Sequence, residues 1–396
     1  MQKPELMCPI RDWASLEACK DYADAVYFGV SDLNLRAKAS AIKLSKLGKF
    51  THKCHEYKIK AYLTLNAVIY NDDIDKAEAI IRRAKAAKVD ALIIWDPAVI
   101  EMARKYKINF FISTQANVSN WQTAEFYRKL GAKRVVLARE MSLADIKKLR
   151  KRTKIQIEAF VHGAMCMAIS GRCVLSSYLY GKSANCGYCA QPCRKEWILS
   201  DPEGNQISTE GKYFLSAKDL CMIEYVPELI KAGIDSFKIE GRRRDPKYIE
   251  VTSRCYRQAI DAALTHTWTK AKASAWKKEL AKVYNRGFST GFYFSQPGRE
   301  GIGYEKADNV SHVKRVLAGE VVRYYPKISV AEIKLNHGPI KNDDTILVEG
   351  QHTYFEHKVC SMEIASKKIS KGEKGQSVAI AIPQKVKVGD KVFILK

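Results

Sequence analysis

Short apolar runs rich in Val, Ile, Phe and Tyr alternate with amphipathic, lysine-rich stretches from the N-terminus to about residue 290. That alternation predicts repeated βα units around a parallel sheet, whose strands are buried on both faces while each helix buries one stripe. The runs place strands at Glu5–Ile10, Ala25–Val30, Lys60–Asn66, Ala91–Asp96, Asn109–Ser113, Arg134–Ala138, Ile155–Val161 and Ser236–Glu240. Apolar positions at three- and four-residue spacing predict helices over Asp75–Ala87, Ala144–Arg150, Pro227–Ala232 and Tyr248–Ala263. Eight repeats point to a closed TIM-like βα barrel. A doubly wound open sheet is the alternative, because a strand count does not reveal closure.

The pattern changes at Ser295–Tyr304, SQPGREGIGY, which reads as a linker. Beyond it the helical period disappears. Val313–Val322, Ile328–Leu335, Thr345–Val348, Val378–Ile382 and Lys391–Leu395 read as strands divided by Gly-Pro, Asn-Asp-Asp and Val-Gly-Asp turns. The expected fold is therefore α/β: a TIM-like barrel over 1–296, with a cysteine-rich insertion at about 164–215, followed by a small all-β barrel over 305–396.

Several predicted strands end in polar residues: Asn66, Asp96, Ser113-Thr114-Gln115, Arg139-Glu140, His162 and Glu240-Gly241-Arg242. In a parallel barrel these ends share the rim where substrates bind. Any one of them alone is explained as a helix cap or a solvated loop; their convergence suggests a site.

Composition adds a partner class. Lys and Arg number 67 against 43 Asp and Glu, a formal charge of +24, which suits a polyanion such as RNA. Thirteen Phe, six Trp and twenty Tyr include stacking partners for an extruded base. With 46% hydrophobic residues and only 22 Gly and 11 Pro, wholesale disorder and collagen-like architecture are excluded. No apolar run approaches a membrane span, and the first residues carry no apolar leader, so a cytoplasmic protein without a membrane partner is expected. Its eleven cysteines are then unlike a disulfide framework.

Five of those cysteines crowd one segment, as Cys166-x6-Cys173 and Cys186-x2-Cys189-x3-Cys193, after the seventh predicted strand. Four thiolates complete either a zinc or an iron–sulfur site. The six-residue gap fits a zinc knuckle poorly, while an iron–sulfur cluster tolerates irregular spacing; unmetallated redox thiols remain the third reading. A metal here serves either to staple a long loop or to take part in chemistry above the rim.

The string Glu158-Ala-Phe-Val-His-Gly-Ala-Met-Cys166, with Ser170-Gly-Arg-Cys173 and Leu175-Ser-Ser, resembles the signature of peptidase family U32. Ala23–Gly29, Leu35–Ala37, Ser216–Leu220 and Phe237–Arg242 are similar to that family as well, although Ala217 departs from the residue expected there. The resemblance covers most of the first 290 residues, and the β domain resembles a C-terminal domain of some members. It implies a 4Fe–4S cluster on Cys166, Cys173, Cys189 and Cys193, with Cys186 as the extra cysteine and Cys221 a less favoured ligand. It further implies RNA hydroxylation, nearest to the branch that makes 5-hydroxyuridine at the tRNA wobble position with prephenate as hydroxyl source. A partner subunit is left open.

Some family members carry a protease or collagenase label, which makes a hydrolase one alternative; an RNA-binding module with a structural metal is another. No His-Glu-x-x-His occurs. Gly287-Phe-Ser-Thr-Gly291 matches Gly-x-Ser-x-Gly, but a nucleophile elbow follows a strand and opens a helix, and here a helical pattern precedes the motif. For the hydroxylase, a dicarboxylate needs cationic clamps, and Arg36, Arg139 and Arg242 are the candidates. His162 and Glu240 are the candidate proton carriers, Glu240 if burial raises its pKa.

Overall fold

The computed structural model describes residues 2–30, 32–39, 42–206, 213–304, 309–311, 313–350 and 352–396. The chain divides into two units, one of residues 1–11 and 15–310, the other of 12–14 and 311–396. The division falls a few residues beyond the expected linker, whose Gly301 and Gly303 are hydrogen-bonded to Lys218 and Ser216 within the first unit. The end of the expected insertion, 207–212, and the start of the expected β domain, 305–308, lie outside the described residues.

In chain order the elements up to Val310 begin with β1 (Glu5–Pro9), α1 (Trp13–Cys19), β2 (Ala25–Phe28), α2 (Leu47–Glu56), β3 (Lys60–Thr64), α3 (Ile74–Ala86) and β4 (Ala91–Ile94). There follow α4 (Pro97–Lys105), β5 (Phe110–Ile112), α5 (Trp121–Lys129), β6 (Arg134–Val136), α6 (Leu143–Arg152), β7 (Gln156–Gly163) and α7 (Leu175–Tyr180). The series closes with β8 (Asp219–Cys221), α8 (Val226–Lys231), β9 (Ser236–Ile239), α9 (Pro246–Leu264), α10 (Lys270–Lys282) and β10 (Phe288–Ser289). β1 to β7 pair in sequence, and β9 pairs in parallel with both β7 and β1, which closes a barrel of eight parallel strands. These are the eight strands expected from the apolar runs. β8 was not legible: it lies antiparallel to the end of β7, with His162 opposite Cys221, and carries β10 on its other edge.

Alternate residues of β1 to β5, among them Met7, Tyr27, Tyr62, Ile93 and Phe111, form one buried cluster inside the barrel. The inward positions of β6, β7 and β9 are charged instead. Glu158 is fully buried, 2.8 Å from Lys238 Nζ and 3.1 Å from Arg134, which also lies 2.6 Å from Glu5. Such buried charges hold only as a set, since each offsets the desolvation of its neighbour. Helix entry is fixed by side-chain caps: Asp96 accepts from Ala98 N, and Asp245, followed by Pro246, accepts from Tyr248 N. The second cap matters for the rim, because Tyr248 in the first turn of α9 donates its hydroxyl to the Glu240 carbonyl at 2.9 Å.

The second unit is all-β. It comprises β11 (Arg315–Tyr325), β12 (Val330–Lys334), β13 (Ile340–Lys341), β14 (Thr345–Glu349), β15 (Tyr354–Lys358), β16 (Met362–Ile364), β17 (Lys367–Ile369), β18 (Lys371–Gly372), β19 (Ser377–Ala381) and β20 (Lys391–Leu395). Eight of these pair antiparallel in the order β15-β14-β20-β11-β12-β19-β16-β17, and β13 pairs with β18. The sheet curls around one core that includes Val321, Ile333, Ile346, Phe355, Met362 and Ile394. The five strands expected from sequence are present. The five that were missed have two to five residues and few apolar positions, as in Lys-Lys-Ile of β17.

Candidate functional site

At the C-terminal mouth of the barrel is a cavity lined by polar side chains from most of the strands. Thr64 and Lys238 lie on β3 and β9; Asn66, Ser113, Arg139 and Glu240 follow the ends of β3, β5, β6 and β9. Arg36, in the segment after β2, and Arg242 complete the cationic side. The three arginines expected as a clamp are thus brought together around one carboxylate. Arg36 Nη2 is 3.8 Å and Arg139 Nη2 3.9 Å from the Glu240 oxygens. Arg242 donates to Asn34 Oδ1 at 3.0 Å and Thr64 Oγ1 at 2.7 Å. Arg139 stacks over Phe160 at 3.9 Å and donates to the Ala164 carbonyl at 2.8 Å. The Nε donors of both Arg139 and Arg242 are buried and have no hydrogen-bond partner among the described residues. A buried charged donor left unmatched is costly, so the arrangement is suited to an added acceptor.

Glu240 corrects an expectation. Burial alone works to raise its pKa, as anticipated, but Arg36, Arg139, Arg242 and Lys238 outweigh it and hold the carboxyl below its ordinary value. Glu240 is a fixed anion that also accepts from Tyr27 Oη at 3.3 Å, rather than a poised acid. Burial pulls Arg242 down only to about 10, so it stays charged at neutral pH.

The segment after β7 forms a lid over this mouth. Gly187, at φ +93°, sits so close to the loop after β2 that a Cβ would meet the Asn34 carbonyl oxygen at 2.2 Å; Gly171, at φ +84°, packs equally tightly on Leu35. Gln115 donates to the Ser170 carbonyl at 2.9 Å, tying lid to rim. The lid carries Cys166, Cys173, Cys189 and Cys193. Burial raises the Cys193 thiol, Arg194 opposes this, and Cys166, Cys189 and Cys173 push it up further as like charges. Desolvation works to raise Cys166, but Arg139, Arg36, the Ser170 hydrogen bond and Arg194 together hold it below the usual thiol value. Arg194 is itself anchored to the carbonyls of Met165 and Ala217, and Gln191 N donates to Cys189 Sγ at 3.3 Å. Among the described residues no three His, Cys, Asp or Glu side chains meet closely enough for a single metal ion.

The other two cysteines considered as ligands have neighbours of their own. Cys186 is the group that raises the Tyr70 phenol, placing it against that ring. Cys221 is buried on β8 beside Tyr256, and burial pushes its thiol to about 11. Asp96 is spent as the cap of α4. Ser289 ends β10 and is followed by a turn, so the helix that a nucleophile elbow needs is missing from this position.

His162 does not line the cavity. A register shift in β7 after Phe160 turns it toward Tyr248, Tyr256 and Phe288, with ring centroids 5.5–5.9 Å away. Burial pushes its pKa down to about 3, and Nδ1 has no partner among the described residues. Because the folded state takes up this proton only near pH 3 and the unfolded chain near 6.5, stability falls as pH drops through that window. By pH 5 the loss through this residue is about 2 kcal/mol. A His162→Asn variant is expected to lack that component, so its urea-unfolding free energy changes less between pH 7 and pH 5 than wild type's; equal changes would show that His162 titrates normally.

Sequence reasoning missed Tyr27, Thr64, Lys238, Ser170 and Arg194 as site residues. Strand alternation carries a signal for Lys238, two positions before Glu240 on the same face, whereas nothing around Arg194 marks it.

A closed βα barrel whose mouth holds an arginine-rich cavity under a thiol-bearing lid defines a barrel scaffold of the kind that enzymes use. The chain belongs to peptidase family U32, whose model matches residues 12–303. It is 44% identical to a Methanocaldococcus jannaschii protein named an uncharacterized protease, over 99% of this chain and 98% of that one. It is 34% identical to a Porphyromonas gingivalis protein named collagenase, over 98% and 97% of the two chains. It is 32% identical to the Bacillus subtilis tRNA hydroxylation protein P1, over 90% and 86%.

Proposed function

We propose that this protein hydroxylates RNA, as a tRNA uridine C5 hydroxylase that takes its hydroxyl from a small dicarboxylate of the prephenate kind. The observation that carries this reading is the excess of cationic donors in the inner cavity. Arg36, Arg139 and Arg242 face the single carboxylate Glu240, and two of them keep an unmatched buried Nε. A dianion balances that excess, and guanidinium geometry matches carboxylate. The charge of +24 supports a polyanionic macromolecular substrate, and the likeness to a tRNA hydroxylation protein supports RNA.

Cys166, Cys173, Cys189 and Cys193 would hold a 4Fe–4S cluster. A cube of iron and sulfide spreads its four thiolates, so they need not converge on one atom, and the arginines nearby suit a negatively charged group. When bound, such a cluster supplies Lewis-acid or one-electron chemistry next to the cavity. In this reading Arg36, Arg139 and Arg242 bind and orient the donor, and Glu240 sets the spacing of Arg36 and Arg139. His162 is a positioning residue, its carbonyl accepting from Glu240 N at 2.9 Å.

Anaerobically purified protein is expected to be brown and to contain about four iron and four sulfide per chain; a colourless protein with one zinc would reject the cluster. Mass spectrometry of nucleosides from tRNA of a deletion strain and its parent tests the reaction. Loss of a hydroxylated pyrimidine in the deletion strain is expected, and identical profiles under aerated and anaerobic growth would overturn it. The hydrolase alternative predicts cleavage of casein or gelatin by the purified protein.

A further inference from the structure

Beside the inner cavity lies a second one, and the two share Thr114, Arg139 and Ser170 as a common wall. The outer cavity has a different chemistry. Met165, Met167, Ile169 and Phe292 give it apolar faces, while Asn117 and Glu140 offer hydrogen-bonding groups. Cys166 lines it too. It opens outward, with Met167 47% exposed. Thioether and phenyl surfaces accept a flat ring, through dispersion and sulfur–aromatic contact. Asn117 carries an acceptor and donors on one amide, which pairs with the N3–H and O4 edge of uracil or the N3 and N4 edge of cytosine. It follows the short turn Thr114–Ala116 at φ +49°, a left-handed conformation that Asn tolerates.

The lid segment that carries part of this lining also suits a nucleic acid. No Asp or Glu occurs between Glu158 and Glu196, a stretch that contains Arg172, Lys182, Arg194 and Lys195. The same stretch exposes Tyr178 and Tyr188, the first to 86%, with no core to bury them. Exposed aromatics in an acid-free, basic segment form a stacking and phosphate-contacting surface for single-stranded RNA.

We infer that the outer cavity is the subsite of the target base, which enters as a pyrimidine extruded from an RNA loop. Its ring lies against Met165, Met167 and Phe292, and its hydrogen-bonding edge reaches Asn117. The shared wall at Arg139 then brings the base next to the donor in the inner cavity. Extrusion is required because ring carbons of a stacked, paired base are out of reach. This assignment rests on the RNA reading above and deepens it.

The test uses the full-length, anaerobically purified protein and a tRNA anticodon stem-loop whose uridines are replaced by 5-iodouridine. After irradiation, crosslinked peptides are mapped by mass spectrometry, and RNA retention is measured by filter binding. Crosslinks are expected within residues 165–169 and at Phe292. Asn117→Gly, which removes the amide and keeps the backbone conformation, is expected to reduce their yield about tenfold with retention almost unchanged. Retained RNA that crosslinks only elsewhere, as at Tyr178 or Tyr188, or a yield indifferent to Asn117→Gly, overturns the base subsite alone. Failure to retain RNA even at low salt overturns both this assignment and the RNA reading.

Discussion

Glu158→Ala is expected to destabilise the barrel unit by about 3–5 kcal/mol, the cost of leaving buried charges unpaired. Glu158 has no solvent exposure, and its two carboxylate oxygens are shared between Lys238 and Arg134, themselves 4% and 3% exposed. Burial already works to deprotonate Lys238, and Glu158 is the principal group that opposes this. Without the carboxylate, Lys238 must lose its proton or draw in water, and Arg134 retains Glu5 as its charged partner among the described residues. Equilibrium urea unfolding followed by far-ultraviolet circular dichroism measures the effect. Glu158→Met combined with Lys238→Met should recover much of the loss, because a matched apolar pair has no desolvation penalty to offset. A cost below about 1 kcal/mol for Glu158→Ala would mean that water reaches this layer and screens the charges.

The second large effect falls on the inner cavity. Arg242→Ala should weaken prephenate binding about ten- to a hundredfold, the worth of one or two charge-assisted hydrogen bonds in a buried site. Arg242 is suited to this role because it is 5% exposed, is held rigidly by Asn34 and Thr64, and still has a free buried Nε. Arg242→Lys keeps the charge and loses the fork, so an intermediate affinity is expected. Isothermal titration calorimetry separates the three proteins. Unchanged affinity in Arg242→Ala would remove this residue from the clamp and turn attention to Arg36 and Arg139.

Much of the candidate site was legible because it sits on strand ends. A parallel barrel delivers every C-terminal strand end to one rim, so Asn66, Ser113, Arg139, Glu240 and Arg242 could be nominated from position alone, and all line the inner cavity. Asp96 follows the same rule and yet caps a helix, since the residue after a strand is equally the N-cap position of the next element. His162 misled for a local reason: the shift in β7 reverses which face its side chain takes, and a bulge leaves no mark in the alternation of apolar residues. Glu240 misled for an electrostatic one. Its burial was foreseeable, but the sign of its pKa shift depends on guanidinium groups contributed by the segment after β2, by the loop after β6 and by Arg242.

By itself the sequence determined the alternation of strands and helices, and hence eight βα repeats, the change to an all-β pattern beyond residue 304, the excess of positive charge and the crowding of five cysteines. These are properties of composition and local period, which the chain carries before it folds. Tertiary structure alone decided the closure of the barrel through β9. It also decided the ionisation of Glu240 and the common wall between the two cavities. Each of these depends on groups distant in sequence reaching within a few ångströms, where desolvation and Coulomb interaction set the chemistry, and such terms are absent from any local window of residues.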